Sequence, residues 1–142
     1  MGILDVFYGF QTQEQAVEYL ENARWSSRPI CPYCKQDKVC RHVSGDRKGQ
    51  RWQCQKCSRA FSVTVGTIFH RTHVPLRSWF LVLAMRLGED KPPPSAYRIA
   101  LDLGMRPGTV ERMVRLIRRA VASDPEQVQL LSRLVGRDGG AS

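Results

Sequence analysis

Two cysteine pairs, Cys31-x2-Cys34 and Cys54-x2-Cys57, separated by nineteen residues, constrain the fold of this chain more than any other feature. A CxxC turn points two thiolates at one centre. Two such turns at this separation fit the tetracysteine zinc template, and a shell of four thiolates suits Zn²⁺ best, although spacing alone does not separate zinc from iron. A redox dithiol would need a thioredoxin-like βαβ unit around one CxxC, and the sequence shows two pairs and no such unit. The N-terminus "MGILDVFYGF" has no positively charged leader and no small-residue cleavage site, which predicts a cytoplasmic chain with reduced cysteines rather than a disulfide framework.

The segment between the pairs reads as a hairpin. "KVCRHVS" and "QRWQC" look like short strands, joined by "GDRKG", in which Gly45-Asp46 and Gly49 supply turn chemistry. "RAFSVTVGTIF" continues with Phe61, Val63 and Val65 alternating, the pattern of a last strand ended by Gly66. The expectation is a zinc ribbon over 26–70 with one structural Zn²⁺ on Cys31, Cys34, Cys54 and Cys57. Cys40 and His42, inside the hairpin, could each replace a ligand, but read first as a small buried thiol and a surface imidazole. A closed S4 shell leaves no position for water or substrate, and a ribbon of this size needs the metal to fold.

Helical patterns flank the ribbon. Over 1–25, Thr12 with Gln15 three residues later starts a short amphipathic helix whose acidic face reads as solvated. "PLRSWFLVLAMRLG" places Leu76, Trp79, Phe80, Leu83, Ala84 and Leu87 on one face and further apolar residues around it, so this helix should be buried on several sides. "SAYRIALDLGMRPGTVERMVRLIRRAVA" then fits a helix-turn-helix within 71–122. Ser95 caps the first helix, Ala100 stands at the close approach and Gly104 at the turn, while Ile99, Leu103, Met105, Val110 and Met113 take the core positions. In the second helix Val110, Met113, Val114, Ile117, Ala120 and Val121 share one side, opposite Arg112, Arg115 and Arg119. Residues 123–142 form a short helix with a Val128, Leu131, Leu134/Val135 stripe, then a tail. Packing is the first reading of that stripe and a homodimer contact the second. The fold class is therefore small α+β, a zinc ribbon followed by a helical helix-turn-helix domain.

Charge indicates the partner. The chain carries 22 Lys+Arg against 13 Asp+Glu, a net +9, but residues 1–24 are acidic and the excess lies in 35–59 and 95–122. A basic surface on a reader helix points to double-stranded DNA. Arg106, Thr109, Arg112, Arg115, Arg118 and Arg119 are its candidate DNA-binding residues, with Arg47, Lys48 and Arg51 of the ribbon as a second zone. A Zn(Cys)4 centre of charge −2 lowers the ribbon block to about +4. The longest apolar run, "WFLVLAM", is too short to cross a bilayer, and neither a membrane nor a small-molecule substrate is expected.

"RWSSRPICPYC", "RWQCQKCSRAFSVTVGTIFHRTHVPLRSWF" and "SAYRIALDLGMRPGTVERMVRLIRRA" together resemble the N-terminal part of bacterial insertion-sequence transposases that begin with a zinc ribbon. The resemblance covers about residues 7–122. Lys35 departs from it, standing where such knuckles often have Gly. It implies that the ribbon and helix-turn-helix recognise the ends of an element, and a cytoplasmic, nucleoid-associated location. In that family an RNase H-like domain with three acidic residues cuts DNA after this region; this sequence stops about twenty residues past the helix-turn-helix, so no enzyme activity is expected. Two functions follow: a sequence-specific DNA-binding protein, as a transposase-derived transcription regulator or the binding part of a transposase, or an adaptor whose ribbon contacts the transcription machinery or a separate transposase subunit. His70 and His73 in "FHRTH" read as a basic loop near phosphate or as an ordinary exposed loop.

Overall fold

A computed structural model describes residues 6, 9–26, 28–41, 51–88 and 91–136. Among them a three-stranded antiparallel sheet is preceded by one helix and followed by four. The elements are α1 (Gln13–Trp25), β1 (Val39–Arg41), β2 (Trp52–Cys54), β3 (Ala60–Phe61), α2 (Leu76–Arg86), α3 (Ala96–Leu103), α4 (Pro107–Ser123) and α5 (Pro125–Leu134). They fall into two compact units, Thr12–Thr72 and a second formed by Met1–Gln11 with His73–Ser142.

In the first unit α1 starts at a reciprocal capping box. The Gln15 N–H donates to Thr12 Oγ1, and the Thr12 N–H donates to Gln15 Oε1, both at 3.2 Å. The helix buries Ala16, Val17, Leu20, Glu21 and Trp25. Its Trp25 ring meets Trp52 and Phe61 edge-on, at 6.0 and 5.9 Å, so the helix and the sheet share one aromatic core. The strands run in the order β1-β2-β3, with Val39 opposite Cys54, Arg41 opposite Trp52, and Trp52 opposite Phe61. The hairpin tip, with His42, "GDRKG", Arg47 and Lys48, lies outside the described residues.

The strands are shorter than the alternation suggests. The last one ends at Phe61, and residues 63–71 form turns instead of continuing through Val65. Hydroxyl groups account for this. Ser62 Oγ and Thr64 Oγ1 lie 2.8 Å apart, Thr67 Oγ1 donates to the Thr64 carbonyl at 2.7 Å, and the Phe69 N–H donates to Thr67 Oγ1 at 3.1 Å. Side chains that bond nearby backbone offer it an alternative to the ladder. Gly66, at φ 82, completes the turn beneath Arg24, whose Nη1 donates to the Val63 carbonyl at 2.6 Å.

The second unit is helical. Around α2, Leu76 and every residue from Trp79 to Ala84 are buried, as an all-round apolar helix requires. Phe10 meets its Phe80 edge-on at 5.3 Å, and α4 packs against α2, α3 and α5. Ser95 caps α3 by accepting from the Arg98 N–H, and Asp124 caps α5 by accepting from the Gln127 N–H. Between α3 and α4 the chain reverses at Gly104, in the left-handed region at φ 67 and ψ 31. Pro107 opens α4 at a position where its missing N–H costs nothing. Ile99, Ala100, Val110 and Met113 are buried as the sequence predicts, while Leu103 and Met105 are half-buried. Val121 departs from the pattern: 47% exposed, it lines an apolar groove with Leu87, Val128, Leu131 and Val135. No helix among the described residues is long and apolar enough to cross a membrane.

Candidate metal centre and nucleic-acid interface

The two CxxC turns have the same local geometry. In the first, the Tyr33 and Cys34 N–H groups point at Cys31 Sγ from 3.4 and 3.5 Å; in the second, the Lys56 and Cys57 N–H groups point at Cys54 Sγ from 3.3 and 3.4 Å. Each turn closes with a residue in the left-handed region, Lys35 at φ 63 and Ser58 at φ 66. Lys35 therefore occupies a backbone conformation that glycine adopts without strain and other residues at a cost of about 1 kcal/mol.

β1, β2 and the adjoining turns bring the pairs together. All four Sγ atoms lie within 4.8 Å of one another, with Cys31 3.7 Å from Cys57 and Cys34 3.4 Å from Cys54. A tetrahedron with Zn–S bonds of about 2.3 Å has edges of about 3.8 Å, so the sulfurs already stand near the spacing the ion requires. Electrostatics favour a cation at their centre. The Cys57 N–H, aided by that of Lys56, outweighs burial and pulls the Cys54 thiol down to about 6. At Cys34 the Gln36 N–H acts in the same direction, but burial and the facing sulfurs of Cys54, Cys31 and Cys57 prevail and push the thiol up to about 12. Four crowded sulfurs cannot all ionise unaided; a divalent cation removes the conflict. The four cysteines form a structural zinc site, closed by its own ligands.

Cys40 lies outside this cluster. It is exposed on β1, a strand of three residues, rather than buried. His70 and His73 are exposed.

A buried carboxylate joins the ribbon to its helix. Glu21, one of the acidic residues of a helix whose acidic face reads as solvated, is only 8% exposed. It accepts from Trp52 Nε1 at 2.8 Å and from the Arg41 guanidinium at 3.3 and 3.4 Å, and that guanidinium stacks 4.1 Å over the Trp52 ring. Its place on the stripe Val17, Leu20, Glu21, Trp25 was the available signal. Glu21→Ala is expected to destabilise the zinc-loaded ribbon by about 1–3 kcal/mol, because it removes the acceptor of the half-buried Trp52 indole N–H and one carboxylate partner of Arg41. Glu21→Gln, which keeps an acceptor, should cost about half as much. The midpoints of denaturant unfolding measure both.

The predicted DNA-binding residues occupy two places. Arg106 is the exposed N-cap of α4, with no side-chain cap, and Thr109 is half-buried in its first turn. Arg112, Arg115, Arg118 and Arg119 are exposed along α4, opposite the buried Val110, Met113, Val114, Ile117 and Ala120. At 100° per residue Arg112, Arg115 and Arg119 fall within about 60° and span about 10 Å of helix, with Arg118 and Glu111 on one flank. Among the described residues none of these arginines is in an ion pair. In the ribbon Arg51 is half-buried, and Arg47 and Lys48 lie outside the described residues.

Residues 11–60 match the family model of the transposase zinc-ribbon domain of the IS1595 type. A relative in Halobacterium salinarum, an uncharacterized protein in transposable element ISH50, is 36% identical over 74 residues, which are 52% of this chain and 25% of the relative. The match thus spans about a quarter of that relative's length. No solved structure matches the chain.

Proposed function

We propose that the chain is a zinc-dependent, sequence-specific binding module for double-stranded DNA, serving either as the end-recognition part of a transposase or as a regulator derived from one. α3, the Gly104 turn and α4 act as a helix-turn-helix, with α4 as the reader in the major groove. In this division the ribbon over 26–70 anchors the protein and the helical region over 71–122 reads. The observation that carries the proposal is the row of exposed arginines on α4, on the face away from the buried one and without ion-pair partners among the described residues. Support for a DNA partner also comes from the transposase zinc-ribbon match over 11–60 and the transposable-element relative. The proposal includes no strand cleavage.

Salt dependence tests the proposal. Neutralisation of about five phosphates gives a slope of log K against log salt of about −4 to −5, with duplex bound more tightly than single strands because α4 enters a groove. A slope near zero, or tighter binding to single strands, would leave the proposal without support and turn attention to a protein partner of the ribbon.

A further inference from the structure

Of the candidate anchor residues, Arg47 and Lys48 lie outside the described residues, but the knuckle end of the ribbon carries a charged surface of its own. Lys35, Lys38, Lys56 and Arg59 surround the zinc knuckles, and all four are exposed. Among the described residues none of them is in an ion pair. The backbone draws them together: the Gln55 N–H donates to the Lys38 carbonyl at 2.8 Å, and the Cys54 N–H to the Arg59 carbonyl at 3.0 Å. Across the two knuckles the Arg59 guanidinium lies 4.8 Å over the ring of Tyr33, which is 44% exposed. A guanidinium held on an aromatic face keeps its planar fork of donors and loses less freedom when it meets a phosphate. Among the described residues the knuckle segment itself carries one carboxylate, the exposed Asp37, beside the four cysteines. The cluster's Cys31 and Cys54 sulfurs are buried and already receive four backbone N–H donors, so it does not draw the exposed cation heads into pairs.

Resting on the DNA-binding reading above, we infer that this knuckle end, with the Tyr33–Arg59 stack as its anchor and Lys35, Lys38 and Lys56 around it, is the ribbon's contact surface for the phosphate backbone of duplex DNA. Phosphate contacts hold register and carry no sequence information. The knuckle end should therefore govern affinity and leave base preference to α4.

The test uses the full, zinc-loaded chain. In the double variant Lys56→Ala/Arg59→Ala the salt slope should become shallower by about two, with all duplex sequences weakened alike. Tyr33→Ala should weaken duplex binding in the same sequence-independent way, and Tyr33→Phe, which keeps the ring under Arg59, should bind as the parent does. Zinc content and resistance to a competing chelator should stay unchanged in all of them. If the slope and affinity of the double variant equal the parent's while zinc is retained, the inference fails and the DNA-binding reading survives. If zinc is lost more readily while DNA affinity holds, these cations serve as counter-ions to the cluster, and the inference is again overturned. A parent chain that binds duplex without salt dependence would remove the underlying reading and the inference with it.

Discussion

Cys54→Ser is expected to abolish stoichiometric zinc binding and to unfold the Thr12–Thr72 unit, while the helical signal of the second unit persists. Cys54 is almost wholly buried, accepts two backbone N–H groups and stands 3.4 Å from Cys34. Its replacement leaves three thiolates around a divalent ion. Structural zinc contributes on the order of 10–16 kcal/mol of apparent binding free energy in zinc-finger peptides, and a unit of this size has too small a core to replace that. Sheet elements of three, three and two residues have little stability of their own. Metal analysis should read about one equivalent of zinc in the parent and in Cys40→Ser. It should read close to none in Cys54→Ser, and a chelator should reproduce the spectroscopic change in the parent. Retention of one equivalent by Cys54→Ser, or its loss in Cys40→Ser, would reassign the ligands.

Loss of base preference is the expected result of Arg112→Ala and Arg115→Ala. Both side chains project from the exposed face of α4 within its first half, about two to three turns from the Gly104 reversal. An arginine there can pair with both acceptors of a guanine edge. Each substitution should cost about 1–3 kcal/mol on the preferred site and flatten the ranking of sequences. Arg118 and Arg119 lie a further turn along, where a reader helix usually leaves the groove, and Arg119→Ala should weaken all sequences alike. Neither class of change should perturb the fold, because these side chains are exposed and outside the buried face. Intact preference in both Arg112→Ala and Arg115→Ala, together with its loss on substituting ribbon cations, would transfer the reading role to the ribbon.

The residues that could be read correctly in advance are those whose chemistry acts over three or four positions. The cysteine pairs, the Thr12/Gln15 box, the Ser95 cap and the left-handed Gly104 are local devices, and each stands where its spacing indicates. One misreading has a local cause, and the others involve features that tertiary context decides. Strand alternation through Phe61, Val63 and Val65 is interrupted because Ser62, Thr64 and Thr67 hydroxyls take up nearby backbone and side-chain groups. Glu21 is buried because Trp52 and Arg41, 31 and 20 residues away, converge on it. Val121 shares the buried arc of α4 on a helical wheel yet remains half open, since α5 leaves a groove beside it. Cys40 is a small apolar residue that stays exposed on a strand of only three residues. The arginine row itself was legible from helical periodicity.

Selection of bound sequences from a pool of random duplexes, with the zinc-loaded full chain and with the Arg112→Ala/Arg115→Ala variant in parallel, is the most direct measurement. The parent should enrich one shared motif whose guanine positions lose their weight in the variant, and zinc removal should lower recovery from the pool. Recovery of a pool without any shared motif, or the same motif from parent and variant, would contradict reading of DNA sequence by α4.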